Sequence, residues 1–354
     1  MVVQSAKSTF HLGLPHMNKE FFITDSRRTT PWTGDADATE LQHFIDRKVD
    51  ALYANKHMAL TETDESELLN SYEPQRCPYC GHEEYTGYGR TRNGVKRYCC
   101  KSCHRTFTII TGTIFQDHKI PISEWIDFCL CLFRFQSFTS ISKTNRNAYS
   151  TVKYWLSKLF LVLSEYQKNI ILEGTVYIDE TFYKVRSGDI ANKDDGTQFR
   201  GLSRNQICIG IGTDGKRTIA FTEGFGKVSG KRTLSTFRNH IKEGSNLIHD
   251  EERGHRLLVD ELKLQSETYN AKLLKGVPDK DNPLLPINRK CFFLKKFLNS
   301  HSGFDREELQ NYLNLFAFIM NEGNQYEKVE KILEWSLHCP KTLNYRDKFC
   351  KLSA

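Results

Sequence analysis

Residues 174–183 read Gly-Thr-Val-Tyr-Ile-Asp-Glu-Thr-Phe-Tyr, and this stretch decides the fold. Its β-branched and aromatic residues, with Val176 and Ile178 alternating with polar neighbours, predict a β-strand. Two adjacent acids, Asp179 and Glu180, sit inside it. A carboxylate buried without a partner costs roughly several kcal/mol, so acids in so apolar a strand point to a cation that offsets the cost. The plain alternative has Glu180 facing solvent and Asp179 at a sheet edge.

Toward the C-terminus the strand pattern continues. Residues 206–213 (Gln-Ile-Cys-Ile-Gly-Ile-Gly-Thr) and 218–225 are two further strands, and Asp214-Gly215 between them is a strong hairpin signal. Residues 233–243 have helical spacing, and 246–249 form a short apolar strand that ends in Asp250. A helix over 256–264, a Pro- and Asp-rich loop over 278–286 and a long helix over 288–299 follow, with helices over 306–320 and 327–338. Three antiparallel strands, a helix, a fourth strand and flanking helices are the order of the ribonuclease-H-like fold. In that order Asp179 and Asp250 fall on neighbouring strands and Asn288 begins a helix that packs across both. Lys295 lies two turns along the same helical face. Two carboxylates at neighbouring strand ends suit a pair of Mg²⁺ or Mn²⁺ ions in phosphodiester chemistry, with the Asn288 carbonyl as a neutral third ligand. Other acids compete for the second position: Glu251, Glu252, Asp260 and Glu261 nearby, and Asp189, Asp194 and Asp195 in a loop. Placement at a strand end favours Asp250. His249 and His255 flank it at a spacing that suggests a metal site as an alternative, but the cysteines already meet the zinc demand and His249 would point away in a strand.

Toward the N-terminus, residues 76–104 hold Cys77-Pro-Tyr-Cys80 and Cys100-Lys-Ser-Cys103, with nineteen residues between Cys80 and Cys100. Two Cys-x-x-Cys turns at this spacing predict a four-thiolate zinc ribbon. The segment holds too few apolar residues to fold alone, and structural zinc in such peptides supplies on the order of 10–16 kcal/mol of apparent folding energy. Arg90, Arg92, Lys96, Arg97, Lys101 and Arg105 surround the second turn, interleaved with Tyr85, Tyr88 and Tyr98. They make either a phosphate-contacting face or a solvated basic loop. Helices over 122–135, 140–145 and 149–163 follow, the last carrying Lys153 and Lys158. The last two resemble a helix-turn-helix or a plain helical hairpin. Residues 38–54 have helical spacing, the acidic stretch 61–73 reads as a linker, and residues 1–37 show no periodicity.

Composition excludes several classes. The 354 residues, 39% hydrophobic with 15 Tyr and 23 Phe, suit a globular chain with a large core and exclude disorder. No apolar run reaches the about 18 residues of a membrane span, and residues 1–10 lack a secretory apolar core, which predicts an intracellular location. Of 11 cysteines, five lie between positions 77 and 103 and six are scattered among apolar residues, which excludes a disulfide framework. A net charge of +7 permits nucleic-acid binding without demanding it.

The motifs together resemble one family. Cys-Pro-Tyr-Cys-Gly with its second turn, Thr-Gly-Thr-Ile-Phe, Tyr-Ile-Asp-Glu-Thr-Phe, Leu-Ile-His-Asp, Asn-Pro-Leu-Leu-Pro-Ile-Asn and His-Ser-Gly-Phe-Asp-Arg are similar to those of bacterial insertion-sequence transposases of the insertion sequence fifteen-ninety-five family. The match spans about residues 76–325. The resemblance implies an α+β multidomain protein: an N-terminal arm with a helix (1–70), a zinc ribbon (71–112), a helical, helix-turn-helix-like DNA-binding segment (113–170), a ribonuclease-H-like transposase domain (171–325) and a C-terminal helical tail (326–354). It implies Asp179, Asp250, Asn288 and Lys295 as catalytic residues, the first three on Mg²⁺ or Mn²⁺. It implies structural Zn²⁺ on Cys77, Cys80, Cys100 and Cys103, and DNA contacts by Arg90, Arg92, Lys96, Arg97, Lys101, Arg105 and Lys153. The expected partners are double-stranded DNA, as element ends and target, and further copies of the chain as a dimer or larger assembly. The expected location is cytoplasmic, on the bacterial nucleoid. Asn288 stands where many relatives carry Glu, so the alternative is an inactive, domesticated zinc-ribbon DNA-binding protein.

Overall fold

The computed structural model describes residues 62–349, together with Leu41, Phe44 and Lys48, which are helical. The rest of the arm and of the helix predicted over 38–54 lies outside the described residues.

Where residues 61–73 read as a linker, the chain forms helix α1 (Glu62–Asn70). Its acids suit a helix N-terminus, and Glu65 and Asn70 dock rather than face water. Glu65 accepts from the Ile122 backbone N–H at 2.9 Å and meets His118 Nε2 at 2.8 Å. Asn70 Oδ1 accepts from the Lys96 N–H at 2.7 Å, and Leu69 is buried. Polarity here reflects specific hydrogen bonds, which a count of apolar residues does not see.

A small antiparallel sheet follows in the order β1 (Tyr85–Arg90), β2 (Lys96–Cys100), β3 (Thr106–Phe107). Tyr98 and Phe107 are its apolar centre, packed with Tyr85 and the buried Cys77 and Cys100. Three rings and a few thiols are a meagre core.

Helices α2 (Ile122–Phe133), α3 (Phe138–Thr144) and α4 (Tyr149–Leu163) come next. The turn between α3 and α4 is closed by the Ser142 hydroxyl donating to the Asn147 carbonyl at 2.6 Å. On α4, Val152, Trp155, Leu156, Leu159, Phe160 and Leu163 are all buried, and only Tyr149 is exposed. Ser150, Lys153, Tyr154 and Ser157 are partly exposed, so the core takes one side of α4.

The large sheet has the order β6-β5-β4-β7-β8. Its strands are β4 (Thr175–Lys184), β5 (Gln206–Thr213), β6 (Thr218–Phe225), β7 (Asn246–Asp250) and β8 (Gln265–Tyr269), with helices α5 (Gly230–Phe237) and α6 (Arg256–Leu262) in between. Strands β6, β5 and β4 pair antiparallel, and β4, β7 and β8 pair parallel. The predicted hairpin forms with Gly215 at φ +85° and Asp214 Oδ1 accepting from the Lys216 and Arg217 N–H groups. Strand β8, Gln-Ser-Glu-Thr-Tyr, has no apolar alternation and was not foreseen; it is an exposed edge strand.

Alternation of side chains divides β4 between two layers. Val176 and Ile178 face α5 and α6, with Leu247, Ile219, Phe237 and Leu258. On this side Gly210 matters, because a Cβ there would lie 2.6 Å from Glu223 Oε1 and 3.0 Å from the Phe237 ring. The opposite face carries Ile207, Ile209, Ile211 and Ile248 against helices α7 (Leu285–Ser300) and α8 (Leu309–Asn321). Helices α2, α4 and α9 (Gln325–His338) belong to the same core through Trp125, Phe128, Leu156, Phe160 and Leu333. Residues predicted as a separate helical segment and a tail are thus continuous with the layer that covers the sheet. A short α10 (Tyr345–Phe349) ends the described chain. Among the described residues no helix is long and apolar enough to cross a membrane.

Candidate functional site

The parallel register of β4 and β7 pairs Thr175 with Asn246, Val176 with Leu247 and Tyr177 with Ile248. Carried two residues further, it sets Asp179 level with Asp250, both on the face that α7 covers. Asp179 Oδ1 accepts from the Glu180 N–H at 2.8 Å, and its Oδ2 lies 3.5 Å from Cys291 Sγ on α7. Burial first, then the charges of Glu180 and Asp250, pushes Asp179 up to about 6. Burial and the neighbouring Asp179 carboxylate raise the Cys291 thiol well above its ordinary range. Asp250, a third exposed, accepts from the Glu252 N–H at 3.0 Å.

Asn288 and Lys295 lie about one helical turn to either side of Cys291, on the same flank of α7. Both are exposed. The helix starts three residues before Asn288, with Pro286 in its first turn. Asn288 and Lys295 thus flank, along α7, the cysteine that meets Asp179. Two carboxylates with an amide oxygen would make a hard-oxygen donor set of the kind that fits Mg²⁺ or Mn²⁺.

Glu180, on the other face of β4, is not solvated: its carboxylate is 3% exposed and accepts from His255 Nε2 at 2.9 and 3.1 Å. His255 Nδ1 is 2.8 Å from His249 Nδ1, and His249 Nε2 is 2.9 Å from Ser266 Oγ. His255 Nδ1 also lies 3.9 Å from Asp250 Oδ1. Burial opposes charge on His255, but the hydrogen bond and charge of Glu180 outweigh it and raise its pKa. His249 is pushed down to about 4 by burial, then by His255. Glu223, beside this group, is pushed up to about 7 by burial and by Glu180.

At the small sheet the four predicted cysteines converge, with every Sγ within 4.8 Å of the others. Cys77 and Cys103 are 3.7 Å apart and Cys80 and Cys100 3.6 Å. Tetrahedral Zn–S bonds of about 2.3 Å would separate sulfurs by about 3.8 Å, so the cluster fits zinc. The Cys103 and Ser102 N–H groups aim at Cys100 Sγ and pull its thiol down to about 6. Cys99 projects to the other side of β2 toward the Cys100 and His104 carbonyls, outside the cluster.

The basic residues divide. Arg90, Arg92, Lys101 and Arg105 are exposed, with Arg105 stacked 5.2 Å over Tyr79. Arg97 is half-buried, 5.4 Å over Tyr88, and Lys101 pairs with Glu84 at 3.1 Å. Lys96 is tied to α1 through the Asn70 carbonyl at 3.0 Å. Lys153 is half-buried 4.7 Å over Phe138, while Lys158 points inward and donates to the Ile114 carbonyl.

Sequence reasoning missed Cys291, although it falls midway between Asn288 and Lys295, and it missed the Glu180–His255 pair, which needs the chain after Asp250 to fold back beneath the sheet.

No family model matches this chain. Over 130 residues it is 32% identical to an uncharacterized protein in transposable element ISH50 of Halobacterium salinarum, a stretch covering 36% of this chain and 42% of that protein. The chain thus spans about two fifths of that relative. Among solved structures it is similar to the Mos1 strand transfer complex at 12% identity (TM-score 0.27, 62% of this chain and 77% of that one). It is similar to the mariner Mos1 paired end complex with Mg at 14% identity (TM-score 0.28, 64% and 82%). The simian T-cell lymphotropic virus intasome matches at 12% identity (TM-score 0.28, 56% and 69%). These TM-scores are too low to define a shared fold.

Proposed function

We propose that this chain is a DNA transposase, whose large sheet is a ribonuclease-H-like catalytic domain and whose cysteine-bearing small sheet is a zinc ribbon that helps to hold element ends. The observation that carries the reading is the parallel register of β4 and β7, which two residues past its last pair brings Asp179 level with Asp250, with the Asp179 carboxyl raised first by burial and then by the charges of Glu180 and Asp250. A divalent Mg²⁺ or Mn²⁺ pair would supply charge neutralisation and nucleophile activation for in-line phosphodiester displacement. Asp179 and Asp250 would hold the ions from the strands and the Asn288 carbonyl from α7, and Lys295 would pair with a phosphate. Cys291 and the apolar surface beneath exclude water from one side of Asp179. The exposed Arg90, Arg92 and Arg105 anchor the DNA backbone, and two copies of the chain bring two ends together. The reaction is hydrolysis that frees a 3′-OH, followed by attack of that hydroxyl on target DNA.

Asn288 favours a second reading, since a neutral third ligand holds metal less tightly than a carboxylate: a DNA-binding protein that has lost its chemistry. Labelled element ends, Mg²⁺ or Mn²⁺ and a target plasmid separate the two. The transposase gives joined product, and Asp179→Asn and Asp250→Asn lose cleavage while keeping end binding. Bound complex without cut product under every metal condition overturns the proposal, as does cleavage at the parental rate in either variant.

A further inference from the structure

Behind the acid pair lies a second polar group that the chemistry above does not use. Glu180, His255 and His249 sit in the apolar layer formed by Val176, Ile178 and Leu258. Burying three such side chains is costly unless every polar atom is paired, and here each is. Two proton arrangements satisfy the chain, and in both Glu180 accepts from His255 Nε2–H: either a doubly protonated His255 also donates from Nδ1 to His249, which donates from Nε2 to Ser266, or the Ser266 hydroxyl donates to His249 Nε2 and His249 Nδ1–H donates to His255 Nδ1. The links join four separate elements: β4 through Glu180, the turn after Asp250 through His255, β7 through His249 and β8 through Ser266. His255 is fully buried and reaches within 3.9 Å of Asp250 Oδ1 from beneath.

The ring nitrogens are at hydrogen-bond rather than metal spacing. Ligands about 2.0–2.1 Å from a tetrahedral ion would be about 3.3–3.4 Å apart, whereas the two Nδ1 atoms are 2.8 Å apart. The cysteine sulfurs, by contrast, stand close to their tetrahedral spacing.

We propose that Glu180, His255 and His249 form a positioning relay that fixes the Asp250 carboxylate level with Asp179, so that both meet the same ions. This rests on reading Asp179 and Asp250 as the metal-holding pair. The backbone pairing of β4 and β7 stops at Tyr177–Ile248, short of both aspartates. Ladders hold each aspartate from its far side, Asp179 opposite Ile211 of β5 and Asp250 opposite Tyr269 of β8, but across the seam between them side chains take over, and His255 meets both Glu180 of β4 and His249 of β7. Groups that orient metal ligands typically change affinity about 10–100-fold when removed.

The test is Mn²⁺ affinity of the full-length protein without DNA, read from the free-ion spectrum, alongside melting temperature, zinc content and end cleavage. His255→Ala and the isosteric Glu180→Gln are expected to bind Mn²⁺ about 10–100-fold more weakly and to need correspondingly more Mn²⁺ for half-maximal cleavage, with DNA-end binding and zinc content unchanged. Ile241→Val, in the same layer but at its far end beside Leu172, is the control for general loosening: its melting temperature falls while its Mn²⁺ affinity stays. Should His255→Ala fail to fold, Glu180→Gln decides. Parental Mn²⁺ affinity in Glu180→Gln overturns the relay, as does an equal loss in Ile241→Val. Loss of a second zinc equivalent in His255→Ala also overturns it, because the histidines would then be ligands. Wild-type protein that shows the expected Mn²⁺ differences but cuts no DNA leaves the relay standing and removes the transposase reading.

Discussion

The two candidate metal centres are built on opposite principles. The cysteine cluster gathers soft donors on a small sheet whose apolar centre is Tyr98 and Phe107 with a few neighbours. The acid pair places hard donors on a sheet packed on both faces by helices. On the proposed reading, an ion would substitute for a core in the first, and in the second the core would bear the cost of holding charges together until an ion arrives. One centre should lose its fold with its metal, and the other should be under least tension when its charge is removed.

The largest expected effect breaks the first half of this comparison. Stripping zinc, or Cys77→Ser, should unfold the small sheet and abolish end binding, since structural zinc is worth on the order of 10–16 kcal/mol in such peptides. The large sheet should keep its circular dichroism and its cooperative melt. A single zinc per chain, and joint loss of both sheets on chelation, are the results that support and break the contrast.

Next is the acid pair. A carboxyl raised from 3.8 to about 6 destabilises the metal-free fold at neutral pH by about 3 kcal/mol. The folded chain holds this proton more tightly than the unfolded chain, so stability falls as pH rises from about 4 to about 6 and then levels. Asp179→Asn should therefore melt higher than the parent at pH 7 in buffer free of Mg²⁺ and Mn²⁺, with the difference vanishing near pH 4. An Asn variant that melts lower at pH 7 would show the carboxylate to be stabilising.

A smaller change concerns Asn288. Asn288→Asp should tighten Mn²⁺ binding and Asn288→Ala weaken it, each by about 10-fold, as a charge is gained or an oxygen ligand lost; titration calorimetry reads both. Undiminished affinity and activity in the Ala variant would remove it from the site. Smallest are the backbone contacts. Arg90→Ala, Arg92→Ala and Arg105→Ala should each lower the slope of log affinity against log salt by about 0.9, whereas Lys96→Ala should leave it unchanged, because that ammonium is held by Asn70.

The legible parts of this chain were those where a pattern maps directly onto one element. Strands β4, β5 and β6 announce themselves by alternation and by Asp214-Gly215, and α4 by its apolar spacing. The acid pair was legible because each aspartate sits at a recognisable place on a strand. Helix α1 was not, because its attachment is made by Glu65 and Asn70 rather than by an apolar stripe. Strand β8 was not, because an exposed edge strand needs no alternation. Spacing on α4 reveals an apolar side, which the core buries, and does not separate a helix-turn-helix from a plain hairpin. The Glu180–His255 link was hidden because strand parity and a five-residue turn had to be combined before the two residues could meet.

The order of elements has a consequence during synthesis. Strands β4 and β7 are complete before α7 leaves the ribosome, so a nascent chain carries both aspartates while Ile207, Ile209 and Ile211 still lack the α7 and α8 residues that cover them. A truncated product would expose that apolar face and be drawn to chaperones or aggregates. On the transposase reading, the proposed site would be complete only in chains translated past Lys295.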